Sequence, residues 1–230
     1  MRLGVHSGKA EFLLHIGNRN YSSWSLRGWL ACRLAGIDFD EHIISLDLAG
    51  TAKSIAAVSP NQRVPCLFHN DIVVWDSLAI AEYLAEMNPD VAMWPKDQAA
   101  RAMARSMAAE MHSSYMGIRN RCPMDMRGKV DPIQMPEEVA RDVARLDAAW
   151  SNARAKFGTG GPYLFGEWSL ADCFFAPAVS RCRTYGLPLS DVSAAYVKAV
   201  LAHPDVSWWA ARGAEETWAI PPEDASEQKF

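Results

Sequence analysis

Two short stretches, Arg63-Val64-Pro65-Cys66-Leu67 and Asp76-Ser77-Leu78-Ala79-Ile80, set the tightest limits on how this chain can fold. A Val-Pro pair leading into a short apolar run marks the first residue of a strand, because proline cannot donate to a ladder. An Asp-Ser pair opening an apolar run marks a helix start, because both side chains can accept from the unpaired amides of the first turn. A strand start and a helix start so close together can hold a peptide backbone on one side and its carboxylate on the other.

The segments around them have a definite order. Phe12 to Ile16 is a short apolar run closed by Gly17-Asn18-Arg19-Asn20, which predicts a strand entering a loop. Trp24, Leu26, Trp29, Leu30, Arg33 and Leu34 recur near helical spacing, with Ser22 and Ser23 as caps and Gly36 as the stop. Phe39 to Leu46 alternates as a second strand, Thr51 to Val58 suits a short helix, and Ser59-Pro60-Asn61 breaks it. Cys66-Leu67-Phe68 and Ile72 to Trp75 flank His69-Asn70-Asp71, the composition of a tight turn between antiparallel strands. Asp76 or Ser77 then caps a helix to about Met87, ended by Asn88-Pro89. Strand, helix, strand, short helix, two strands and helix is the order of a thioredoxin-like domain, assigned here to residues 1–88.

Beyond a linker at 89–95 the patterning is helical only, over Gln98 to Asn120, Pro136 to Phe157, Leu170 to Tyr185 and Asp191 to Ala202. Residues 96–230 are therefore expected to form an all-helical bundle with loops near 121–135 and 158–168 and a loose tail from Pro221, giving an α+β chain of two domains.

With 230 residues, half of them hydrophobic, the chain can bury a full core. Its formal charge of −4 and scattered Lys and Arg leave no footprint for nucleic acid. No apolar run approaches the roughly 20 residues that span a bilayer, and Met1 to Ser7 lacks a signal-peptide core, so a cytoplasmic location is expected. Five widely spaced cysteines without a CxxC argue for buried, reduced thiols, and no two histidines stand at metal spacing, so no metal site is expected.

Taken together, the thioredoxin-like half, the helical half, Val64-Pro65, Asp76-Ser77 and the Ser22-Ser23 pair resemble the soluble glutathione S-transferases over nearly the whole chain. Ser22-Ser23-Trp24-Ser25-Leu26-Arg27 followed by Gly36-Ile37-Asp38-Phe39 is similar to the serine-type enzymes, and the double serine to the zeta class, which carries a cysteine where this chain has Trp24. Ser169-Leu170-Ala171-Asp172 matches the family's SxxD, a capping box whose meaning is folding.

The resemblance implies glutathione as co-substrate or cofactor. Its thiol has a free pKa near 8.5, so only about 3% is thiolate at neutral pH. A serine hydroxyl at a helix N-terminus can donate to the sulfur while the helix dipole favours the charge. Ser22 falls at the family's catalytic position, with Ser23 second, and either could instead only cap the helix. The resemblance further implies a cis Val64-Pro65 bond, with the Val64 backbone pairing to the cysteinyl part of glutathione. By the same resemblance Asp76 takes the γ-glutamyl ammonium and Ser77 the carboxylate, unless the pair only caps the helix, Gln62 contacts the glycyl end, and Arg27 meets a glutathione carboxylate or an internal partner. The electrophile is expected between the domains. Met107, Met111, Tyr115 and Arg119, spaced by four, either line that cleft or simply pack; the likeness to zeta enzymes, which carry an arginine one residue away from this offset, implies that Arg183 holds an anionic substrate.

The reading is a homodimeric glutathione transferase acting on a small electrophile. Its alternatives are a zeta-like cis-trans isomerase and a non-catalytic glutathione-binding or interaction protein.

Overall fold

A computed structural model describes residues 10–46, 50–130 and 135–217. β1 (Phe12–Ile16) buries Phe12, Leu14 and Ile16, an alternation that presses one face of the strand into the core. α1 (Ser23–Ala35) starts at Ser22, which is extended, and stops at Gly36, whose φ of 70° is the left-handed turn that glycine adopts without a Cβ clash. β2 (Phe39–Ile43) returns parallel to β1, in register from Phe12 opposite Phe39 to Ile16 opposite Ile43. α2 (Thr51–Ala56) is short, and β3 (Cys66–His69) and β4 (Ile72–Trp75) form an antiparallel hairpin turned at Asn70, with φ of 52°. β3 also pairs antiparallel with β1, so the sheet order is β2-β1-β3-β4. α3 (Ser77–Met87) closes the thioredoxin-like half against α1.

Past α3 the described residues form helices joined by loops, with isolated bridges in the loop before α7: α4 (Gln98–Ser113), α5 (Met116–Arg121), α6 (Glu137–Phe157), α7 (Leu170–Tyr185), α8 (Asp191–Leu201) and α9 (Pro204–Glu215). α7 is the central post, with Arg183 and Tyr185 alone of its residues outside the buried set, and it packs on both α1 and α4. A helix hydrophobic all round is one surrounded by others.

Two departures from the expected pattern matter. The helix expected over 98–120 is broken: Ser114 is extended and Tyr115 has φ of 64°, so α4 and α5 are separate. α9 was not foreseen; His203 caps it through an imidazole nitrogen, and Pro204 occupies its first turn, where the missing amide costs nothing. The loose tail expected over 221–230 and the N-terminal stretch 1–9 lie outside the described residues. Among the described residues no helix is long and apolar enough to cross a membrane.

Candidate active site

Where α1, the start of β3 and the start of α3 converge, a cavity of about 210 Å³ is lined by Val64, Pro65, Asp76, Ser77, Trp24 and His112, with Asn61 and Arg63 at its side. The Val64-Pro65 peptide is cis. Gly28 lets α1 lie against that proline, since a Cβ there would come 2.9 Å from Pro65 Cγ.

Asp76 caps α3. Its Oδ1 accepts from the amides of Leu78 at 2.8 Å and Ala79 at 3.4 Å, and its backbone sits at φ 76°, a left-handed position uncommon for a residue with a Cβ. Its Oδ2 lies 3.3 Å from His112 Nε2, which reaches over from α4 in the helical half. Burial pushes the carboxyl up, but the His112 imidazole and the two amides outweigh it and hold it below its ordinary value. Ser77 differs from its neighbour: it is 1% exposed, and its hydroxyl has no hydrogen-bond partner among the described residues. A buried hydroxyl normally finds a partner.

Volume does not single this cavity out. The cleft beneath Glu82, Trp94 and Arg105 is larger, about 460 Å³. What distinguishes the smaller one is a helix N-terminus, a carboxylate with an oxygen turned toward the pocket wall and a buried hydroxyl without a partner, all at one place. Such a set can bind an amino-acid headgroup: the carboxylate its ammonium, the hydroxyl and helix start its carboxylate.

Ser22 stands at the start of α1, 7% exposed. Its hydroxyl donates to Ser25 Oγ at 2.7 Å and accepts from the Ser25 amide at 3.3 Å, while the Gly17 amide donates to Ser25 Oγ at 2.9 Å. The serine is thus held by a short chain of hydrogen bonds and does not itself line the cavity. Ser23 is buried beside it. Gln62 is exposed, with φ of 57°, between two lining residues, Asn61 and Arg63.

Arg27 is fully buried, donates to the Phe174 carbonyl at 3.1 Å and lies 4.5 Å from the Trp24 ring. Arg119 is also interior; it donates to the carbonyls of Ser114 and Met111, and its guanidinium lies 4.8 Å from the same Trp24 ring. Met111 and Tyr115 are core residues at 1% and 4% exposure, and Arg183 is exposed and tied to the Met126 carbonyl. None of these five lines the cavity. Burial pushes the Cys66 thiol up to about 11, as suits a core cysteine.

Trp24 and His112 were not among the residues expected in the pocket. Their rings meet edge to face at 5.0 Å, and they form its wall. The helical register of α1 placed Trp24 on an inner face; that His112 meets it from 88 residues further along is a tertiary fact with no local signature.

Residues 21–87 match the family profile described as glutathione S-transferase, N-terminal domain, and residues 136–216 match the glutathione S-transferase, C-terminal domain. The chain belongs to the glutathione S-transferase family. Within that family of enzymes it stands beside the zeta class. It is 30% identical to the maleylacetoacetate isomerase of Rattus norvegicus over 178 residues, covering 75% of this chain and 78% of the relative. It is 28% identical to a zeta-class glutathione S-transferase of Euphorbia esula, covering 71% and 73%. Among solved structures, a bacterial zeta-class maleyl pyruvate isomerase superposes with a TM-score of 0.67 at 25% identity, over 90% of this chain and all of the other. A Burkholderia glutathione transferase homolog with bound glutathione gives the same score and identity over 89% and 98%.

Proposed function

We propose that the cavity at Val64, Asp76 and Ser77 binds glutathione and that Ser22 activates its thiol for attack on a small electrophile. The buried Ser77 hydroxyl beside the Asp76 carboxylate, without a partner among the described residues, carries this reading, because it offers a donor to a bound carboxylate. The Val64 backbone pairs with the cysteinyl unit, Asp76 holds the γ-glutamyl ammonium and Ser77 the carboxylate, with Gln62 toward the glycyl end. That geometry brings the sulfur to the start of α1. There the Ser22 hydroxyl exchanges its bond to Ser25 for one to the thiolate, with Ser23 the second choice, and the dipole of α1 favours the charge.

Residues 1–88 then supply the glutathione side and residues 96–230 the electrophile side of a cytoplasmic enzyme, and a homodimer is the expected assembly. Rate enhancement comes from thiol activation and from positioning the two reactants, as in other nucleophilic catalysis.

A second reading is a glutathione-dependent cis-trans isomerase of an unsaturated diketo acid. The likeness to maleylacetoacetate isomerases favours it. It requires a transient thioether and no net consumption of glutathione. In this reading Arg183 holds the acid, exchanging its bond to the Met126 carbonyl for one to the substrate.

One assay separates the readings. Wild-type protein is incubated with glutathione and, separately, a panel of electrophiles and a maleyl-type diketo acid, following both glutathione consumption and isomer conversion. Conjugation that Ser22→Ala slows, with the folded chain intact, supports transfer. Conversion without consumption supports isomerisation. Equal rates for Ser22→Ala would remove that serine from the mechanism.

A further inference from the structure

The connection from β1 to α1, residues 17–22, is held from the far end of the chain. Glu216, just past α9, accepts the Arg19 amide on Oε1 at 2.8 Å and the Asn20 amide on Oε2 at 3.2 Å. One carboxylate thus satisfies two successive amides, with the charge assistance that makes such bonds stronger than neutral ones. Two neighbouring amides point to the same carboxylate in only a narrow range of backbone conformations. Trp209 of α9 donates from Nε1 to the Arg19 carbonyl at 2.8 Å, on the opposite polarity of the same peptide segment. Gly213 brings α9 up against the loop: a Cβ there would lie 3.2 Å from the Asn20 nitrogen. The next amides, Tyr21 and Ser22, return to the Asn18 carbonyl at 3.3 and 2.9 Å, so the conformation imposed at 19 and 20 runs directly into the Ser22 cap.

We propose that Glu216 is a positioning residue, clamping the loop with Trp209 so that the Ser22 hydroxyl is aimed at the thiol. The inference rests on the proposed role of Ser22 for its effect on rate, and on the loop geometry alone for its effect on structure. Ordinary packing of a helix such as α9 needs neither a carboxylate bridging two amides nor an indole on the carbonyl between them. Loss of the clamp leaves Val64, Asp76 and Ser77 in place, so glutathione affinity is separable from thiol activation.

The test uses the full chain with Glu216→Ala and the conservative Glu216→Gln, which keeps an oxygen for one of the two amides. Three readouts are taken: amide hydrogen exchange over residues 17–22, glutathione affinity by titration calorimetry, and the pH profile of bound-thiolate absorbance and turnover. Cooperative thermal unfolding confirms that each variant is folded. The clamp predicts faster exchange in 17–22, an apparent thiol pKa moved upward and turnover down by about tenfold, the size of one lost orienting contact. Affinity stays within about twofold, and Glu216→Gln falls between. Unchanged exchange in 17–22 overturns the clamp. Faster exchange with an unchanged pH profile and turnover reduces Glu216 to packing and overturns its positioning role. A wild-type protein that binds glutathione without forming thiolate sinks the Ser22 reading instead, and the exchange result then decides the clamp by itself.

Discussion

The starts of α7 and α3 both carry a serine and an aspartate, and they put the same side chains to opposite uses. At the start of α7, the Asp172 carboxylate accepts from the Ser169 amide at 2.9 Å, the Ser169 hydroxyl at 3.0 Å, the Leu164 amide at 3.1 Å and the Tyr196 hydroxyl at 3.1 Å. Its exposure is 0%, and burial pushes its pKa up to about 6 against the pull of those four bonds. At the start of α3, Asp76 spends one oxygen on the helix and turns the other toward His112 and the cavity, and the Ser77 hydroxyl is without a partner among the described residues. The carboxyl there is held below its ordinary value. A capping motif whose hydrogen bonds are all used within the protein is architecture; one with buried capacity left over, beside a cavity, is what the proposed glutathione site draws on.

Breaking the closed motif should give the largest effect. Asp172→Ala removes the acceptor from four buried donors, and a loss on the order of 3 kcal/mol is expected from the group of mechanisms that strand buried polar atoms. Denaturant unfolding checks it, and any variant that remains folded should bind glutathione as the wild type does. A loss of binding in folded Asp172→Ala would blur the contrast between the two helix starts.

Next in size is Asp76→Ala, which should weaken glutathione by tenfold or more, on the order of one charge-assisted hydrogen bond. It should also cost about 1 kcal/mol of stability through the lost cap. Calorimetry and unfolding on the same preparation separate the two effects. Ser77→Ala sharpens the comparison further: binding falls by roughly tenfold, whereas stability holds or rises, because a buried hydroxyl without a partner is removed. A clear destabilisation would mean that the hydroxyl is used by the fold after all.

The pH dependence should also divide. The folded chain holds the Asp172 proton up to about pH 6, while the unfolded chain releases it near the ordinary value of 3.8. The folded state therefore binds the extra proton, and stability falls as pH rises through that window, by an amount on the order of 2–3 kcal/mol. Asp76 has the opposite sign: its contribution is present above its ordinary pKa and is lost as pH falls toward the lower folded value. Comparing wild type with Asp172→Asn between pH 4 and 7 should show the stability difference shift against the wild type as pH rises. A parallel pair of curves would contradict the burial argument.

Much of this contrast was written locally in the sequence. Proline before an apolar run, Asp-Ser before α3, Gly36 after α1 and the SxxD box before α7 are short-range signals, and each sits where the backbone needs it. The break at Tyr115 was not legible, because Met107, Met111, Tyr115 and Arg119 keep a perfect spacing of four and no glycine or proline interrupts them before Gly117. The structure turns that stripe into the interior of the helical half and leaves the pocket wall to Trp24 and His112. Those two residues, like Glu216 against Arg19, meet only because the two halves dock, and no periodicity along the chain records such a meeting.

The most direct test is a calorimetric titration of reduced glutathione into three proteins in parallel: wild type, Ser77→Ala and Ser169→Ala. The account predicts saturable binding to the wild type, binding weakened about tenfold in Ser77→Ala without loss of stability, and unaltered affinity in a destabilised Ser169→Ala. Absence of binding to the folded wild type, or equal affinity in wild type and Ser77→Ala, would contradict it.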